Sequence, residues 1–164
     1  MYDWNFDNPW IDTWWLLRQT RDALYRDLET ALERRTITIE QLDVMFFIAQ
    51  YPDGVTVDEL SIWCFRRKDS VLQLMKRMEN KGLICRKKQP HQKRVFFHLT
   101  SDGKRELQTY GLIGSEGIKQ LRQQFSEEDI QKLKDYLKRI RDIYLRRLGL
   151  QIKTPRTVDK SLKS

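Results

Sequence analysis

Apolar residues recur at helical spacing along most of this chain and change to strand spacing in one place. Trp10, Trp14, Leu17, Leu24, Leu28, Ala31 and Leu32 follow one another at helical intervals to about Arg34, as on a helix with one covered face. Asn8 can cap that helix and Pro9 suits its first position. Ile11, Trp15 and Leu16 widen the stripe over the first turns. A helix that is apolar most of the way round must be covered on several sides, which a small domain does most easily by pairing with a second copy. The expected contact residues at this end are Trp10 and Ile11.

Thr38 and Gln41 stand at capping-box spacing before a second, strongly apolar helix that includes Leu42, Val44, Met45, Phe46, Ile48 and Ala49,. Tyr51 to Gly54 is a turn sequence. Thr56 and Glu59 repeat the box and open a short third helix to about Phe65. A fourth is expected over about 69–81, with Val71, Leu74, Met75 and Met78 inside and Gly82 as its stop. Then the period changes to two. Leu83 to Lys87 and Val95 to Leu99 read as an antiparallel hairpin, with Val95, Phe97 and Leu99 on one face and Phe96 and His98 on the other.

Thr100 and Ser101 can start a long fifth helix to roughly Phe125. It contains Gly111, Gly114 and Gly117, whose spacing points to a bend or a close helix approach. Ser126 opens the sixth helix. Ile130, Leu133, Leu137, Ile140, Tyr144 and Leu148 step by threes and fours along it, a seam for one partner helix. Gly149 ends it. The polar, basic remainder reads as a mobile tail. The expected class is mainly α with a small antiparallel β-hairpin (α+β). Its parts are an N-terminal dimerisation helix (1–36), a helix-turn-helix lobe with a hairpin wing (37–100, wing about 83–99), long dimerisation helices (101–149) and the tail (150–164).

Charge sharpens this outline. The chain carries a net +8 over 164 residues, yet Arg66 to Arg94 alone holds eleven Lys or Arg against only Asp69 and Glu79. The basicity therefore belongs to one element. A basic helix followed by a basic hairpin is the electrostatic footprint of a protein that reads a nucleic-acid duplex. No apolar run approaches the roughly 20 residues that span a bilayer, and the acidic, aromatic N-terminus is unlike a signal peptide. No membrane partner is expected, and the cytosol is the simplest compartment. Two cysteines, Cys64 and Cys85, are too few for a disulfide framework,.

The order of elements resembles the MarR family of bacterial winged helix-turn-helix regulators. The resemblance covers about Pro9 to Leu148. It is carried by Glu59-Leu60-Ser61, Ser70-Val71 through Leu74, Arg77 through Ile84 with Lys81-Gly82-Leu83, Arg86, Val95 through Thr100, and Gly103. Two features depart from the family pattern. The acid of its Asp-x-Arg wing signature falls on His91, with Lys93 at the basic position, so the acid that usually helps to brace the wing is missing. The turn before the fourth helix offers Phe65-Arg66-Arg67 where a small residue is usual.

The resemblance implies a homodimeric transcription regulator, more often a repressor, that binds a palindromic operator in double-stranded DNA. The fourth helix then enters a major groove with Ser70, Leu72, Gln73, Lys76 and Arg77 outward. Gln73 suits adenine, Arg77 suits guanine or phosphate, and Leu72 suits a thymine methyl. Arg66, Arg67 and Lys68 at the turn would hold phosphates. In the wing, Lys87, Lys88, Gln92, Lys93 and Arg94 would reach phosphates or a minor groove. Family members often release DNA on binding a small aromatic or phenolic effector, for which Trp14, Trp15 and Tyr25 are the candidate lining. The dimer seam falls to Ile130, Leu133, Leu137, Ile140 and Tyr144 with Trp10 and Ile11.

Other classes fit less well. His91 and His98 lack carboxylate or thiol companions at metal-ligand spacing, and no phosphate-cradling glycine loop follows a strand, so neither catalysis nor a metal or cofactor is expected. A thiol sensor of the same fold is an alternative, with Arg66 and Arg67 near Cys64 to lower its pKa. A module for protein or RNA is another, though the outward face of the fourth helix shows no aromatics for base stacking.

Overall fold

The computed structural model describes residues 6–33, 36–88 and 94–150; for 111–115 it describes the backbone alone. Met1–Ile39 and Glu40–Ser164 form two compact units. The first is dominated by α1 (Pro9–Leu32), which Asn8 caps by accepting hydrogen bonds from the amides of Trp10 (3.0 Å) and Ile11 (3.3 Å). The expected end near Arg34 lies outside the described residues.

In the second unit, α2 (Ile39–Ala49, beginning at the boundary) is followed by α3 (Val57–Trp63) and α4 (Lys68–Asn80). The strands β1 (Ile84–Lys88) and β2 (Val95–Leu99) then lead into α5 (Ser101–Gln124) and α6 (Glu127–Arg147). Local chemistry sets most of these boundaries. Thr56 and Glu59 form a full capping box at the start of α3, and Ser126 and Asp129 form another at the start of α6. Gly82 and Gly149 take φ +68° and +67° just past α4 and α6, a left-handed turn that glycine enters without a β-carbon clash. α5 runs without a break past Gly111, Gly114 and Gly117. A β-carbon at Gly117 would meet nothing within 4 Å, so no close approach explains that glycine among the described residues.

The core of the second unit lies where α3 and β1 meet α4, whose Val71, Leu74, Met75 and Met78 are all buried. β1 and β2 pair antiparallel from Ile84–Leu99 to Lys88–Val95. The expected two-faced alternation in β2 does not hold, because Phe96 and Phe97 are both buried. A third chain segment reaches Phe97. Val55 bridges to Phe97 through reciprocal backbone hydrogen bonds of 3.0 and 2.8 Å, so the free edge of β2 is paired there, and the Arg86 guanidinium lies over the Phe97 ring.

The start of α5 is locked onto the hairpin root. The Thr100 hydroxyl donates to the Gly82 carbonyl, and the Thr100 amide donates to the Leu83 carbonyl at 3.1 Å. A β-carbon on Gly103 would lie 2.0 Å from that same Leu83 oxygen. Only glycine fits there.

Candidate nucleic-acid interface

α4 presents two chemically distinct faces. Its apolar stripe is buried, while Ser70, Leu72, Gln73, Lys76 and Arg77 are exposed, as the helical spacing requires. Leu72 keeps 49% of its surface exposed although apolar. The helix begins at Lys68, one residue earlier than expected, and its N-cap Arg67 makes no side-chain capping bond. Uncapped amides at a helix start can donate to an anion such as phosphate.

Partners elsewhere in the fold divide the eleven cations of the basic segment. Arg66 reaches Glu40 at 3.5 Å, Lys68 reaches Asp58 at 2.7 Å, and Lys81 donates to Gln41 at 3.1 Å. Arg86 holds Glu79 with two hydrogen bonds, its Nε at 2.7 Å from Oε1, and lies 5.9 Å over the ring of Phe97. Among the described residues, no salt bridge engages Arg67, Lys76, Arg77, Lys87, Lys88 or Arg94, all exposed. These six span the end of the turn, the outward face of α4 and the inner ends of the wing. Gln92 and Lys93, with His91, lie outside the described residues.

The Glu79–Arg86 pair joins the last turn of α4 to β1. That bond holds the Glu79 carboxyl below its usual range and raises the already high pKa of Arg86. This pair ties the root of the hairpin to the helix. Sequence reasoning missed it. The one signal was that Glu79 is one of only two acids in the basic segment.

The fold matches known structures over most of its length. MepR of Staphylococcus aureus in its DNA-binding conformation aligns at TM-score 0.74 and 24% identity, over 79% of this chain and 96% of that one. The S. aureus MepR–DNA complex aligns at 0.68 and 25%, over 78% and 95%. NadR in complex with 4-hydroxyphenylacetate aligns at 0.68 and 26%, over 76% and 88%. Both are MarR-family transcription regulators. This chain has the MarR winged-helix fold. No protein-family model and no curated protein matches it in sequence.

Within the MarR fold the remaining candidate residues fall in separate places. Trp14 and Trp15 meet edge to face at 5.1 Å, with the Arg18 guanidinium 5.0 and 5.5 Å from their rings. Tyr25 is half-buried under Arg21 and lies ten residues from Trp15, about 15 Å along a helix. α1 by itself therefore does not gather the three into one pocket. On α6, Ile130, Leu133, Leu137 and Tyr144 are exposed and Ile140 is half-buried. Ile130, Leu133 and Leu137 line a groove together with Lys134, Lys138 and Arg141. Trp10 and Ile11 on α1 are exposed.

Arg66 pulls the Cys64 pKa down as expected, but it does not prevail. Burial pushes this thiol up to about 11, against the smaller opposing pull of Arg66, and Asp43 adds to the rise. Both cysteines are free. A protonated thiol is a poor nucleophile, which weighs against the thiol-sensor alternative. No helix among the described residues is long and apolar enough to cross a membrane.

Proposed function

We propose that this protein is a dimeric, sequence-specific regulator of transcription of the MarR type that represses by binding a palindromic operator. The observation that carries this reading is the basic strip on α4 and the wing that no salt bridge engages among the described residues, set on a fold shared with a structure of MepR bound to DNA. Gln73 and Arg77 read base edges in the major groove and Leu72 meets a thymine methyl, each polar contact being worth roughly 1–3 kcal/mol of discrimination. Arg66, Arg67, Lys68, Lys87, Lys88 and Arg94 hold phosphates. Arg66 and Lys68 exchange their weak surface carboxylate partners for phosphate on binding. Gln92 and Lys93 extend the wing contact.

The second copy docks through the α6 seam and the exposed aromatic start of α1. Two-fold symmetry then places half-sites about one helical turn, ~10 bp, apart. NadR was crystallised with 4-hydroxyphenylacetate, and a small aromatic or phenolic compound is the effector class proposed here, with the adjoining Trp14 and Trp15 as its contacts on α1 and Tyr25, about 15 Å further along the helix, outside their reach.

Selection of bound sequences from a pool of random duplexes tests the reading. An enriched inverted repeat with half-sites one turn apart is expected. Salt-sensitive binding without any motif would reduce the strip to a general polyanion surface and sink the regulator assignment.

A further inference from the structure

The turn between α3 and α4 contains a backbone conformation that its sequence does not favour. Phe65 has φ +53°, in the left-handed region where a β-carbon crowds the backbone and glycine is the usual occupant. It stands just after the C-cap Cys64, and the Arg66 amide closes the turn by donating to the Ser61 carbonyl at 3.1 Å. Helices commonly stop this way with glycine at the Phe65 position.

Burial does not offset the strain. Phe65 is 59% exposed, and among the described residues its ring enters no aromatic or cation–π pair. Nearby Trp63, by contrast, stacks on Phe47 at 4.7 Å. A large apolar ring is thus held out in water, in a strained turn, directly before Arg66, Arg67 and the start of α4. Strained residues of this kind persist where the surroundings impose them, and they concentrate at functional positions.

We infer that Phe65 is an apolar DNA contact that packs against the deoxyribose edge of the backbone whose phosphates Arg66 and Arg67 hold. The inference rests on the DNA-binding reading above. In a helix-turn-helix the recognition helix contacts base edges with its N-terminal residues, so the turn leading into α4 lies at the rim of the groove. There the sugars offer apolar surface between phosphates. The left-handed turn aims the ring, and the two guanidiniums beside it supply the attraction that brings the backbone close.

Phe65→Gly tests this in the full chain, because glycine keeps the turn and removes both the ring and the strain. The selected duplex, or a generic duplex of the same length, serves as probe in a salt series. We expect a raised melting temperature together with roughly tenfold weaker binding and an unchanged salt slope, since no phosphate contact is lost. Phe65→Leu, which keeps an apolar side chain, is expected to restore much of the affinity. Binding by Phe65→Gly within twofold of the parent would overturn the assignment and leave the DNA reading intact. Such a result, combined with loss of a protein contact, would make Phe65 part of a protein interface. Absence of salt-dependent duplex binding by the parent chain would overturn both.

Discussion

Arg86 on β1 clasps the carboxylate of Glu79 on α4, and the same guanidinium covers the ring of Phe97 on β2. One side chain thereby joins α4 to both strands of the hairpin. The bond depresses the Glu79 pKa, so its contribution to stability is complete above the ordinary carboxylate range and fades as pH falls through the lowered value. Glu79→Gln is expected to melt below the parent at pH 7, and the gap should close as the pH falls below about 4. Thermal unfolding followed by circular dichroism across pH checks this. Equal melting temperatures at pH 7 would show that the clasp adds nothing.

Gly103 fits against the Leu83 carbonyl with no room for a methyl group. Gly103→Ala forces the start of α5 off the hairpin root and should destabilise the second unit by about 1–3 kcal/mol, the usual cost of overpacking. Urea denaturation measures it. A variant as stable as the parent would mean that this joint yields easily.

His98 packs on Gly54, whose φ of +80° already favours glycine and where any β-carbon would come 2.5 Å from the imidazole Nε2. Burial first, then the nearby charge of Lys87, lowers the His98 pKa, with Asp53 opposing. The folded chain therefore takes up a proton on this ring less readily than the unfolded chain, whose ring titrates near pH 6.5. Stability should be full above that value and decline as the pH drops through the lowered folded one. His98→Gln is expected to flatten the melting temperature between about pH 7 and 5.

Phosphate holders and base readers should separate in binding data. Lys87→Ala with Lys88→Ala removes two phosphate contacts from each protomer, and is expected to weaken all duplexes alike and to reduce the salt slope of the dimer by about 4. Gln73→Ala should instead relax preference at one position of each half-site at a cost of roughly 1–3 kcal/mol. Fluorescence anisotropy on matched and altered duplexes distinguishes them. A uniform loss from Gln73→Ala would move that residue to the phosphate class.

Cys64 is expected to label slowly at neutral pH, because its thiol titrates at about 11. In a Cys85→Ser background, the rate with a chromogenic disulfide should climb roughly tenfold per pH unit between about 7 and 10. Peroxide should leave DNA binding unchanged in both the parent and Cys64→Ser. Fast labelling at pH 7 would restore the thiol-sensor reading.

The sequence by itself determined the elements and the seat of the charge. Asn8, Thr56 with Glu59 and Ser126 with Asp129 announce helix starts because a cap bonds amides two or three residues away. Gly82 and Gly149 end helices by their own backbone freedom, and the inner stripe of α4 follows from 3.6 residues per turn. All of that information lies within a few neighbouring positions.

What only the tertiary structure decided depends on partners far along the chain. Arg66 meets Glu40 and Lys81 meets Gln41, 26 and 40 residues away, so a count of cations could not say which remain free. Phe97 is buried where Val55, 42 residues back along the chain, pairs with the edge of its strand, and Cys64 keeps its proton because burial outweighs the adjacent arginine. The left-handed turn at Phe65 has no glycine to announce it. Burial and pairing are sums over whatever the folded chain brings near, and no local spacing contains them.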